Sequence, residues 1–519
     1  MSNHLPHRAP SRRRWIIRLV VLLFPLYAVA AAELFIRLTG IGLPDSVQVQ
    51  RMNPAGLPMF ECAPDANGTR LCQTSRWYSV FMGPQKFVMP KPAGVVRIFF
   101  LGESAAEGYP FNLPGSFPRI MQVMLNEAGQ RRFEVINAAV RGIKSSDVRY
   151  ICSEIVHYQP DLVIVYMGNN EYMGLDPKAE VGPKAEVKYW LRSHLIGFRL
   201  YPVLVNLRIR LGPEPPAIKD LGATAQDTRA RLLSRYWDRD AILTVQRRFR
   251  ENLTAIVALS RAHGAAPILS SVAVNLRDFV PFPDAAATLT DRCQAPAPDS
   301  NVELSSSALR EQAACAAAPA WPPDMKLPAA TAYYEGCCAL WSGNAVRARE
   351  LMGLALDRDR YRLRTISAIN GITRDVAAEQ ALTLVDVEAA FAEISPFGIA
   401  GDELFLDNVH PTLPGQALIA RVMVEKLARQ GLLRLDDRLR LRMKAAMGDY
   451  LGRLPPKFLA DSDFTLANNL ANFGMFPRSL RLYRLALALE PDSADIRQAI
   501  AEVEKLTAAS DTQTPTPGK

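Results

Sequence analysis

One apolar run frames the whole chain: V-V-R-I-F-F-L, Val95 to Leu101, which stops at Gly102-Glu103-Ser104. Its length and its β-branched and aromatic content are those of a buried strand, and the glycine ends it abruptly. Two further runs end in the same manner. Phe133, Val135 and Ile136 lead to Asn137, with Gly142 five residues on, and D-L-V-I-V-Y-M-G, Asp161 to Gly168, leads to Asn169-Asn170-Glu171. Helix-like stretches separate the three, beginning with Phe117 to Ala128. This rhythm predicts an α/β fold with a right-handed parallel sheet whose three strand ends share one edge. Ligands of such sheets bind beyond those ends, so Ser104 arrives where chemistry can occur. A fourth run, within P-I-L-S-S-V-A-V-N-L-R-D, presents Asn275, Arg277 and Asp278 toward the same edge. A fifth, L-T-L-V-D-V, precedes Asp407-Asn408-Val409-His410 and a helix that starts near Pro414.

Ahead of the sheet lies a different environment. The basic start, with Arg8, Arg12, Arg13 and Arg14, runs into an apolar stretch from Trp15 to Ile36 that is long enough to cross a bilayer. Arg18 and Glu33 sit near its ends, where each can snorkel. The arginine excess places the amino terminus in the cytoplasm and everything after Arg37 on the exported, periplasmic or extracellular side. A cleavable signal is the alternative, because A-V-A-A-A-E offers small residues to a peptidase.

The expected organisation is therefore a cytoplasmic tail (1–14), a transmembrane anchor (15–37) and a juxtamembrane segment without sustained period (38–93). The sheet domain follows (94–433, with helical insertions at 174–240 and 283–360), then a helical region (434–507) and a disordered polar tail (508–519). Within the first insertion, Lys188 to Arg210 interleaves aromatics, leucines and arginines; it reads as a helical segment with a solvated basic face, or as one that rests on a membrane or walls a cleft. Ala241 to His263 reads as a helix capped by Gly264, and 283–325 as an exposed excursion. Tyr333 to Asp359 reads as a helical hairpin whose Gly336, Gly343, Ala348 and Ala355 are spaced as in a tetratricopeptide unit. Leu466, Ala467, Gly474, Phe476, Tyr483, Ala486 and Pro491 match further such positions. A single repeat cannot bury its own face, so this one is expected to pack on the preceding helices or on a protein partner.

The net charge of +9 comes from arginines scattered among acids, with no nucleic-acid-binding signature, so no nucleic acid partner is expected. The seven cysteines show no metal-ligand spacing, and no metal or cofactor is expected. Cys62 and Cys72 flank a turn-rich segment; they form a local disulfide in an oxidising compartment or remain free thiols.

Acyl transfer at a serine needs a base, a group that orients the base, and donors for the oxyanion. His410 is one of six histidines, two of which precede the apolar stretch, and Asp407 three residues earlier can hold its tautomer. The backbone N–H groups of Ser104 and Gly142 and the side-chain amide of Asn170 are the candidate oxyanion donors. Asn275 and Arg277 are candidates to meet a polar or acidic part of the substrate, or to form a structural salt bridge.

G-E-S-A-A-E-G, N-A-A-V-R-G, G-N-N-E and D-N-V-H-P occur in the order of the four blocks of the SGNH hydrolases, also called GDSL-like esterases. The chain resembles this family over roughly residues 94–430. The resemblance implies a three-layer, flavodoxin-like fold, Ser104 as nucleophile, Gly142 and Asn170 as oxyanion donors, and His410 with Asp407 as the base pair. Asn170 fits the third block's position, with Asn169 the fallback. Glu103 stands where the family has aspartate, as does Glu171; both keep the charge. The expected function is an anchored esterase that deacylates an envelope glycan or lipid. An O-acyltransferase using the same residues, or a non-catalytic envelope scaffold, is the alternative.

Overall fold

Successive side chains of strand β4, Val95–Gly102, enter two different cores. Ile98 and Phe100 join one apolar cluster, while Phe99 and Leu101 join another on the opposite face. A strand covered on both faces has no polar alternation, which is why this segment reads as a continuous apolar run. The computed structural model describes residues 12–44, 56–211 except 65, 67 and 130, the isolated positions 221, 225 and 228, and 237–281, 293–296, 305–317 and 328–511.

β4 lies inside a five-stranded parallel sheet with β5 (Arg132–Asn137), β6 (Leu162–Tyr166), β7 (Ala266–Ser270) and β8 (Thr383–Val385), in the spatial order β5-β4-β6-β7-β8. Numbered within the sheet this is 2-1-3-4-5, a doubly wound order whose direction reverses beside β4. Helices Phe117–Asn126 and Leu413–Arg429 cover one face. Ser145–Ile155, Arg239–Ala262 and Ser367–Glu379 cover the other. Helices on both faces with parallel strands between them make three layers.

The juxtamembrane segment without sustained period, 38–93, holds a second sheet. Its strands β1 (Phe60–Pro64), β2 (Arg70–Thr74) and β3 (Lys86–Met89) pair antiparallel, and Cys62 and Cys72, directly opposite each other, are joined in a disulfide. This small sheet caps the main one through Phe60, Phe87, Phe99 and Tyr158, whose rings meet mostly edge to face. Its backbone is tied down as well. The Glu154 carboxylate accepts the N–H groups of Met59 (2.9 Å) and Phe60 (3.1 Å), and the fully buried Arg97 donates to Val88 O at 2.7 Å. Strands of four or five half-exposed residues carry too short a pattern to be recognised from periodicity.

One helix among the described residues, Arg12–Thr39, contains a stretch long and apolar enough to span a membrane. Glu33, placed near the end of the stretch where it could snorkel, is buried. It pairs with Arg37 at 2.7 Å and accepts the N–H groups of Arg199 (2.8 Å) and Leu200 (2.9 Å), capping helix Leu200–Leu211 of the first insertion. Carboxylates are favourable at helix amino termini, so this contact joins the apolar helix to the insertion. The hairpin of the second insertion is formed by Ala329–Trp341 and Ala345–Arg358, with a further disulfide, Cys315–Cys338. Much of 212–236 and of 283–327, and the ends 1–11 and 512–519, lie outside the described residues.

Beyond the sheet, helices Asp437–Gly452, Pro456–Asn472, Phe476–Leu489 and Ala494–Asp511 follow in succession. The last continues past Ala508, where composition predicts the tail to begin. The first of these helices buries Leu439 and Met443 in the core on one face of the main sheet, and the later three bury their apolar faces against each other and against Tyr109, Phe111 and Leu406 of the sheet domain.

Candidate active site

Gly102 ends β4 under a tight constraint: a Cβ there would stand 2.2 Å from Tyr166 O and 2.7 Å from the Ala106 side chain. The chain then turns through Glu103 into a one-turn helix, Ser104–Glu107. As its first residue, Ser104 has an N–H with no intrahelical acceptor. Asn137, at the end of β5, donates to Ala106 O at 2.9 Å and steadies this turn.

His410 reaches Ser104 from a loop ahead of helix Leu413–Arg429. Its Nε2 lies 2.8 Å from Ser104 Oγ, and its Nδ1 lies 2.6 Å from Asp407 Oδ2. The other carboxylate oxygen, Oδ1, accepts the backbone N–H groups of Val409 (2.9 Å) and His410 (2.8 Å). Burial alone would raise the Asp407 carboxyl, but the imidazole beside it and these two N–H groups outweigh burial and hold it below its ordinary value. Hydrogen bonding to a carboxylate places the imidazole proton on Nδ1 and leaves the Nε2 lone pair facing the serine.

Gly142 and Asn170 line the same cavity as Ser104 and His410. Gly142 has φ +73°, a left-handed conformation that favours glycine, and nothing lies within 4 Å of where its Cβ would be. Asn170 donates one amide hydrogen to Ile143 O at 3.1 Å, which ties the two loops together. Asn169 is absent from the cavity wall, and its Oδ1 accepts from Thr365 N (3.2 Å) and Thr365 Oγ1 (2.7 Å). The structure thus brings Asn170, not the fallback, to the serine.

Glu103 and Glu171 are buried braces. Glu103 accepts the N–H groups of Asn169 (2.8 Å) and Asn170 (3.2 Å). Burial and the neighbouring Glu171 charge push it up to about 8 against those hydrogen bonds. Glu171 accepts from Ser145 N (2.8 Å) and Ser145 Oγ (2.9 Å), and burial pushes it up to about 7.

Asn275 and Arg277 do not line the cavity, and their contacts are those of the structural alternative. Asn275, fully buried, donates to Asp407 O (2.9 Å) and Asp402 Oδ1 (2.8 Å), so it holds the loop that carries the acid. Arg277 is consumed by Asp278 (2.8 Å) and Glu403 (2.5 Å).

Residues absent from the sequence-based set also reach the site. Arg141 grips the buried Glu107 at 2.5–3.1 Å; burial pushes Glu107 up to about 7 although the guanidinium opposes it. The same guanidinium lies 5.0 Å over the Tyr109 ring, which meets the His410 ring at 4.9 Å. Glu107 and Arg141 stand within G-E-S-A-A-E-G and N-A-A-V-R-G, but 34 positions separate them and nothing in the sequence pairs them. The far wall comes from Thr465, Leu466, Asn469, Leu470, Phe473 and Met475. No local pattern links those positions to Ser104. Elsewhere, the ligand atoms of Cys293, Glu311 and Cys337 lie within 4.8 Å of one another, in the core of the second insertion rather than on this cavity.

No protein-family model and no curated protein matches the sequence. Among solved structures, the chain is similar to a GDSL-like lipase from Bacteroides thetaiotaomicron, at 12% identity over 65% of this chain and 89% of that one, with a TM-score of 0.28. It is similar also to a psychrotrophic esterase from a Pseudoalteromonas species, at 11% identity over 64% of this chain and 97% of the other, with a TM-score of 0.27.

Proposed function

We propose that the chain is a membrane-anchored serine esterase of the SGNH type that deacylates a cell-envelope glycan or lipid. The observation that carries this reading is the hydrogen-bonded series Ser104–His410–Asp407, at 2.8 and 2.6 Å, on a cavity that Gly142 and Asn170 also line. In the proposed reaction Ser104 Oγ bonds to the ester carbonyl carbon as its proton passes to His410 Nε2. The carbonyl electron pair moves onto oxygen, which the N–H groups of Ser104 and Gly142 and the Asn170 amide stabilise. Collapse breaks the bond to the alcohol, which leaves with the proton from His410, and acyl-Ser104 remains. Water then repeats the sequence and frees the acid.

Glu103 and Glu171 serve as positioning residues for the loops that carry the donors. Transfer of the acyl group from Ser104 to a second hydroxyl in place of water is the alternative outcome of the same acyl-enzyme. The amino-terminal helix would hold the enzyme at the membrane, and the arginines ahead of it favour an exported catalytic domain. Intact nucleophile and base argue against a pure scaffold, which needs neither.

Ser104→Ala and His410→Ala should each lower hydrolysis of a short p-nitrophenyl ester at least about a thousandfold with thermal unfolding nearly unchanged, because the members act as one unit. A fluorophosphonate should label Ser104. Full activity in Ser104→Ala would overturn the assignment.

A further inference from the structure

The helical region beyond residue 433 does not stand apart from the cavity. Helix Pro456–Asn472 turns Thr465 and Asn469, four residues apart and so on one face, toward it, with Leu466 and Leu470 beside them. Phe473 and Met475, just past the helix end, extend this wall, and Met173 and Leu363 face it from the sheet domain.

The wall is locked to the reacting groups at two places. Asn469 Nδ2 donates to the Tyr109 hydroxyl, and the Tyr109 ring packs at 4.9 Å on His410. Asp402 accepts from Arg478 (3.0 Å) and from Arg481, and also from Asn275 (2.8 Å), which donates to Asp407 O. Arg481 further donates to Leu406 O at 3.3 Å, beside Asp407.

We infer that the helical region supplies the acyl-binding subsite, and that the group it accepts is an unbranched aliphatic acyl chain of roughly eight carbons rather than acetyl. This rests on the esterase reading above. Apolar side chains make most of the wall, and its two methionines are adaptable surfaces for a flexible chain. The cavity measures about 390 Å³. A cavity of ~150 Å³ accepts benzene, so this space holds an ester group and a chain of roughly eight carbons. Arg141, over the Tyr109 ring that packs on His410, lines the cavity beside the reacting groups, where the polar part of the ester would sit.

The test is kcat/KM of the full chain in detergent for p-nitrophenyl acetate, butyrate, hexanoate and octanoate. Burying a methylene is worth up to about fourfold. With partial burial, octanoate should exceed acetate by at least about a hundredfold. Thr465→Trp, at an exposed position that folding tolerates, fills the subsite and should lower the octanoate-to-acetate ratio at least about tenfold. Phe473→Ala lengthens the subsite and should move the optimum to longer chains. A flat series in the wild type, or a ratio unchanged in both variants, overturns the inference while Ser104-dependent hydrolysis stands. Octanoate hydrolysis that persists in Ser104→Ala overturns the esterase reading itself.

Discussion

Asp407→Asn isolates the role of the acid because the structure leaves the amide two orientations, and both are unfavourable. Suppose the amide oxygen keeps the Oδ1 position and its hydrogen bonds from Val409 N (2.9 Å) and His410 N (2.8 Å). The amino group then faces Nδ1 across the distance that is 2.6 Å in the native pair, so Nδ1 must accept and the ring proton moves to Nε2. That proton points at Ser104 Oγ, 2.8 Å away, and the base is lost. A wrong tautomer in a serine triad lowers kcat about 10⁴-fold, or roughly 5.5 kcal/mol. Suppose instead that the amide flips and its oxygen faces Nδ1. Two buried backbone N–H groups then meet an amino group, at a cost of about 1–3 kcal/mol each, and the loop holding His410 is loosened. The first orientation keeps the fold, so it is the one expected. Hydrolysis of p-nitrophenyl acetate and the rate of fluorophosphonate labelling should both fall 10³- to 10⁴-fold, while Tm drops by no more than about 5 °C. An Asp407→Asn enzyme with more than a tenth of native kcat/KM would refute the argument.

Two further outcomes follow from the buried carboxyls and from the charges around the apolar helix. Glu103 is raised to about 8 and Glu171 to about 7 in the fold, so between pH 5 and 8 the native state binds more protons than the unfolded chain. Their contributions, on the order of 5 kcal/mol for Glu103 and 3 kcal/mol for Glu171, are fully present below about pH 4.5 and lost as pH rises through the folded values. The urea midpoint should therefore fall from pH 5.5 to pH 8.5, less steeply in Glu171→Gln; a wild-type midpoint that rises over this range, or an equal slope in the variant, contradicts the assignment. A reporter active only outside the cytoplasm, fused after residue 433, should score positive, whereas signal from a cytoplasm-only reporter at that junction would reverse the proposed topology.

The chain's own order of residues determined a good deal. β4 announces itself because a strand buried on both faces must be apolar at every step, and Gly102 because backbone and Ala106 leave no space for a Cβ. Asp407 and His410 are legible together because three residues of loop suffice to bring them into contact. Ser104 and His410 were singled out jointly by the resemblance of four short motifs, though 306 positions separate them. Other features were decided only by tertiary structure. Asn275 and Arg277 lie in the loop five and seven residues past the end of β7, and carboxylates and a carbonyl of neighbouring loops claim them. The small β1–β3 sheet has strands too short for a period to emerge, and depends on the aromatic cluster and on Glu154. Glu33 carries no sign that it will cap a helix of the first insertion. Asn469 lies 360 residues from Tyr109, and its helix reads as an ordinary amphipathic element. A periodic pattern specifies that a face will be buried but not which surface buries it; that depends on shape and hydrogen-bond complementarity between distant segments, which carries no period along the chain.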